Sequence, residues 1–263
     1  MITHLALLAL ADPVGLTLHF ERSNRDGSEP EQIYFHRAAR DRIQVYKMVE
    51  RCTRAALVSA TIDPATGAAS SLEAAQLKPD AQRAPYGMLS DEGTAIVARL
   101  EMDGAQKTFS TPIAGRPWHL YDYDLATLSA AFEARKGSRK PMAFNLAMVW
   151  PKDDRFIEWM GKATAKFVRA ETHLGRKALR FEVSGPAFGA TGGGPLWVDA
   201  KRGHLVDVQW GRPNHDNYKD FRLRLVGVEA SGAAAWTALL KRHFQECPTK
   251  PAPPQNQDTD RAG

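Results

Sequence analysis

Residues 184–199 read SGPAFGATGGGPLWVD, the most glycine-dense stretch of the chain. A run of this kind either cradles a phosphate or lets the chain turn between two strands. A Walker loop requires Gly-Lys-Ser/Thr, yet Gly194 is followed by Pro195 and Leu196. A dinucleotide fingerprint requires GxGxxG opening a helix. Here the spacing is Gly189-x-x-Gly192-Gly-Gly, and the LWVDA that follows is strand-like. Gly192, Gly193 and Gly194 permit positive φ, and Pro195 suits strand entry. The stretch is read as a connection between ALRFEVSG and PLWVDA.

Working outward, the hydrophobic period is mostly two. In VGLTLHFE, Val14, Leu16, Leu18 and Phe20 share one face, and Thr17, His19 and Glu21 the other. QIYFHR and DRIQVYKMVER repeat the pattern. ALVSATIDPATGAASSLEAAQL reads as a hairpin turning at residues 63–67, and residues 94–100 and 106–111 form another pair across Asp103 and Gly104. After the glycine run, HLVDVQWG and DFRLRLVGVE close the sheet, with Phe221, Leu223 and Leu225 inward and Arg222 and Arg224 outward. Two segments are helical. One starts at Asp124, read as an N-cap, with Leu125, Leu128 and Phe132 on one stripe. The other spans residues 232–246, with Trp236, Leu239, Leu240 and Phe244 on one side.

This pattern predicts a mainly β (α+β) fold: one curved antiparallel sheet, a half-barrel, with two helices packed on its concave side. A chain of 263 residues with 43% hydrophobic and 25% charged residues can bury one such core. One domain is expected over residues 12–246. The tail from 247 to 263, PTKPAPPQNQDTDRAG after Cys247, has no apolar pattern and is expected to be disordered.

The N-terminal MITHLALLALADP carries a short apolar run before Ala9-Leu10-Ala11, an A-x-A cleavage pattern. Residues 1–11 are thus expected to be a signal peptide, and the protein periplasmic or secreted. The alternative is a first strand running into VGLTLHFE, which leaves a cytoplasmic location open. Cys52 and Cys247 are either a disulfide or two free thiols. Their wide spacing excludes CxxC redox and zinc-ribbon chemistry.

Candidate chemistry is sparse. The chain contains no GxSxG, SxxK or HExxH motif. His119, Asp122 and Asp124 are close in sequence and include metal-ligating types, but Asp124 is better used as the helix cap. No metal or cofactor is expected. The net charge of +5 and the basic strand faces, with Lys162, Lys166, Arg222 and Arg224, allow contact with an anionic membrane surface. Nucleic acid is not an expected partner, because the aromatics fall mainly on apolar faces.

The succession ETHLGRKALRF (171–181), GGPLWVD (193–199), GHLV (203–206) and Pro213, preceded by LYDYDLATLSAAF, is similar to uncharacterised bacterial periplasmic proteins. Those resemble in architecture the lipoprotein-carrier (LolA/LolB-like) half-barrel superfamily. The resemblance covers roughly residues 118–226 and rests on strand and turn signatures. It implies a curved sheet with an apolar concavity that receives acyl chains in the carriers, and it carries no catalytic residues.

The leading expectation is a non-enzymatic envelope protein binding a lipid-like or other apolar ligand in that concavity. Phe144, Leu146, Trp159, Phe167, Phe181 and Trp197 are the candidate lining, chosen for size and strand position. Simple packing of these residues against the helices is the competing explanation. An envelope structural or protein-interaction module, with an envelope protein as partner, is one alternative. A hydrolase-type enzyme assembled around His119 and Asp122, with His173, is another.

Overall fold

The computed structural model describes residues 13–102, 104–152 and 155–248. The expected signal segment at 1–11 and nearly all of the expected tail lie outside the described residues. Within them fifteen strands form one sheet. The first eight are β1 (Thr17–Ser23), β2 (Glu31–Ala39), β3 (Arg42–Met48), β4 (Ala56–Ile62), β5 (Ala69–Leu77), β6 (Arg83–Asp91), β7 (Ala95–Met102) and β8 (Ala105–Pro112). The short β9 (Trp118–Leu120) precedes helix α1 (Ala126–Ala134). Then come β10 (Met142–Lys152), β11 (Arg155–His173), β12 (Arg176–Ser184), β13 (Gly194–Asp199), β14 (Leu205–Trp210), β15 (Phe221–Val228) and helix α2 (Ala233–Arg242).

The strands make two meanders. One runs from β1 out to β8, the other from β10 to β15, and β1 pairs antiparallel with β15 to join them. Every neighbouring pair is antiparallel except β9 and β10. The edges of the sheet are β8 and β9, although only residues 113–117 separate them in the chain. Five residues span at most about 18 Å. The sheet is therefore rolled until its edges are close neighbours. Side chains bridge the seam: Trp159 Nε1 donates to Pro112 O at 2.7 Å, and Phe109 stacks on Phe156 with ring centroids 5.7 Å apart. The mainly β class and the single open, curved sheet are as expected.

Period-two burial lines the interior. Leu18 and Phe20, Ile33 and Phe35, Ile43 and Val45, and Phe221, Leu223 and Leu225 all enter one core with α1. Each such side chain, moved out of water, contributes about 1.5–3 kcal/mol. Helix α1 is buried from Ala126 through Phe132, more than the single stripe expected. Its small residues admit neighbouring backbone. A Cβ on Gly67 would lie 2.5 Å from Ala131 N, and one on Gly203 would lie 2.7 Å from Phe132 O. The loops before β5 and β14 thus clamp α1 from two sides.

Two expectations are corrected. Asp124 does not cap α1. Asp124 and Leu125 are both left-handed, with φ of 49° and 62°, and no side chain caps the helix. Also, α2 does not share the concave side with α1. Trp236, Leu239 and Leu240 pack on Tyr34, Tyr46 and Leu57, which alternate with the core residues and so face outward. A bond between Cys52 and Cys247, with Cα atoms 5.5 Å apart, ties the segment after α2 to the turn before β4.

The glycine run is the connection between β12 and β13, which pair antiparallel from Ala178–Asp199 to Val183–Gly194. It is longer than a tight hairpin. A short 3₁₀ segment, Pro186–Thr191, buries Ala187 and Phe188 under the sheet end. Gly193 is there because a Cβ would strike Val183 O at 2.0 Å.

Candidate functional site

The inward rows of three strands change character at one end of the roll. In β1 the row Leu18, Phe20 continues to Arg22. In β2 Phe35 and Ile33 lead to Glu31, and in β3 Ile43 and Val45 lead to Lys47. Because side chains alternate, each charge must project inward with the apolar residues of its own row. Arg22 is 1% exposed and Lys47 12%. Buried charges of this kind need partners, since desolvating an unpaired ion is prohibitive.

The partners come from two loops. Asp124, fully buried, follows the 3₁₀ turn Tyr121–Tyr123. Its Oδ2 lies 2.5 Å from Lys47 Nζ, and its Oδ1 lies 3.7 Å from Arg22 Nε. Lys47 Nζ also donates to Asp122 O at 2.6 Å. The loop before β15 supplies Asn214, whose Nδ2 donates to Tyr121 O at 3.2 Å and whose Oδ1 accepts from Arg22. Tyr218 stacks its ring 3.4 Å from the Arg22 guanidinium carbon. Glu31 Oε2 completes the group, 3.4 Å from Arg22 Nη1. Left-handed backbone at two successive non-glycine residues costs about 1–2 kcal/mol each. The ion pairs of Asp124 and the burial of Leu125 hold that strain in place.

Two of these charges, Glu31 and Lys47, lie on the wall of an apolar pocket of about 300 Å³, with Arg22 and Asp124 behind them. Leu72, Leu89, Leu100, Leu120, Val149 and Phe156 line its body, while Glu31, Lys47, Asp122 and His215 occupy the polar end. Tyr86 and Met88, 41% and 42% exposed, lie at its rim. Burial dominates the titration here. It raises the Asp122 carboxyl to about 6, against the pull of Lys47 and a hydrogen bond from Val149 N–H. Burial, helped by the charges of Lys47 and Arg22, lowers His215 to about 4. Burial alone would lower Lys47, but the carboxylates of Asp124 and Glu31 outweigh it and its pKa is raised.

None of the six residues expected to line a ligand site is on this pocket. Phe144 and Leu146 are core, and Phe181 packs against Phe132 of α1 with centroids 5.2 Å apart. Phe167 meets Phe181 at 5.8 Å and lies under Arg139. Trp159 joins the seam, and Trp197 lies on the outer face, stacked on His173 at 3.9 Å. The residues of the proposed hydrolase site have separate partners. His119 bonds Thr127 Oγ1 at 3.1 Å against Phe144, and burial lowers it to about 3. Asp122 Oδ1 accepts from Val149 N, and His173 bonds Asp207 at 2.9 Å. Among the described residues no group of three or more His, Cys, Asp or Glu is arranged to hold a metal.

No protein-family model matches the chain, and no curated protein matches it.

Proposed function

We propose that this chain is a non-enzymatic envelope protein that binds an elongated apolar or lipid-like ligand within its rolled sheet. The observation that carries this reading is the pocket of about 300 Å³, apolar along its body and polar at one end. That volume is at the lower end of the usual range for ligand sites, roughly 300–1,000 Å³. The ligand's apolar part lies among Leu72, Leu89, Leu100 and Phe156, and its polar end meets Lys47, Asp122 and His215. The resemblance to lipoprotein carriers supports the same ligand class. The bond between Cys52 and Cys247 supports an oxidising compartment, the periplasm or the exterior.

Titration of the full chain with a fluorescent long-chain fatty acid tests this. Saturable binding, displaced by unlabelled fatty acid and lost in Leu89→Trp, is the expected result. Absence of saturable binding counts against the reading. A membrane-surface role through the strand faces has less support, because Arg222 pairs with Asp207 and Arg224 with Glu21.

A further inference from the structure

A second cavity, of about 440 Å³, opens beside the C-terminal end of α1. The inward row of β2 again explains its charge. Beyond Phe35 that row ends in Arg37, opposite in sign to Glu31 at its other end. Three separate segments add cations to the rim: Arg40 from the β2–β3 turn, Lys136 after α1, and Lys201 and Arg202 from the β13–β14 turn. The single carboxylate of the lining, Glu133, is bonded to Arg37 at 2.6 Å. Among the described residues, the side chains of Lys136, Lys201 and Arg202 have no carboxylate within ion-pair distance. Among the described residues, these three cations therefore face the cavity without a carboxylate of their own, since Glu133 is taken by Arg37. The C-terminal end of α1 adds about half a negative charge, too little to reverse that balance.

The rim is held in shape. Asp199 Oδ1 accepts from the backbone N–H of Lys201 and Arg202, at 2.9 and 2.7 Å. Gly203, with φ of 83°, presses that turn onto the carbonyl of Phe132. His204 follows as part of the cavity wall, 2% exposed, and neither of its ring nitrogens has a hydrogen-bond partner. Converging cations on a fixed turn with an unpartnered imidazole behind them are the chemistry of an anion site.

We propose that this cavity binds a phosphate-type oxyanion, carried by a soluble phosphorylated molecule or by a lipid headgroup. The site is at the opposite end of the inward rows from the apolar pocket and does not depend on what that pocket binds. The test uses the full chain with two probes: pyrophosphate by calorimetry, and phosphatidylglycerol in phosphatidylcholine vesicles by co-sedimentation. Saturable binding of either probe is expected, weakened at least about tenfold by Lys201→Glu with Arg202→Glu. Lys136→Glu gives an independent variant should the double change disturb folding. Lys162→Glu with Lys166→Glu, on the strand face, is the control expected to bind as the unaltered chain. Pyrophosphate binding assigns a soluble ligand, and binding to vesicles alone assigns a headgroup. The proposal is overturned if neither probe binds saturably, if the rim variants bind normally, or if the control variant loses binding equally.

Discussion

The ammonium of Lys47 lies 2.5 Å from Asp124 Oδ2, inside a rolled sheet and at the polar end of the apolar pocket. Asp124 is fully buried and shares its other oxygen with Arg22 and Asn214. Removing one member strands a charge, and that cost is about 3–5 kcal/mol for buried pairs. Lys47→Met should therefore destabilise the protein by roughly that amount, measured by denaturant unfolding. Asn tolerates the left-handed backbone at this position, so adding Asp124→Asn should recover much of the loss. Additive losses in the double variant would remove the pair from the account.

Asp122 gives a pH signature. Its pKa is raised on folding to about 6, so the folded state prefers the protonated carboxyl. The stabilisation is complete below the unfolded value, near 4, and is lost as pH rises through about 6. Asn keeps an acceptor for Val149 N–H without the charge. Asp122→Asn should thus raise the melting temperature at about pH 8, with the gain fading towards about pH 4. A gain that grows on acidification would contradict the assignment.

Three histidines act in the opposite sense. Burial lowers His119 to about 3 and His204 and His215 to about 4. Folding favours their neutral forms, so their contribution is full above about 6.5 and falls as pH drops towards those values. For buried His119 the loss is about 1.4 kcal/mol per pH unit in that window. His119→Gln should flatten the acid limb of stability against pH. An unchanged limb would show that His119 does not titrate this way.

The bond between Cys52 and Cys247 closes a loop with a sequence separation of 195 residues. In the chain-entropy model such a closure contributes at most about 5 kcal/mol. Replacing both cysteines by serine should lower stability by up to that amount. It should also speed amide exchange in α2, which otherwise holds the outer face through Trp236, Leu239 and Leu240. Unchanged exchange in α2 would argue against the bond as its anchor.

Most of the sheet was legible because its rows alternate: VGLTLHFE and FRLRLV state which side chains go inward. Strand β6 was not, since RAPYGMLSD has a proline, a glycine and no clean period. The start of α1 misled for a local reason, as an Asp before an apolar run normally caps a helix. Here its carboxylate is drawn instead to Lys47, from a strand 75 or more residues earlier. The site itself joins residues as far apart as Arg22 and Asn214, which no local spacing reveals. One signal was present: Arg22, Glu31 and Lys47 each continue an inward row by one period. The chosen lining residues were large and apolar, and that same property drew Phe144, Leu146 and Phe181 into the core around α1.

Native mass measurement of the purified full chain reads directly whether the pocket beside Lys47 holds an apolar ligand. The expected result is an added mass, released on solvent extraction as a lipid-like molecule. It should be absent from Ala74→Trp, which fills the free space of the pocket. A chain of bare mass that takes up no lipid on incubation, or an adduct retained by Ala74→Trp, would contradict it.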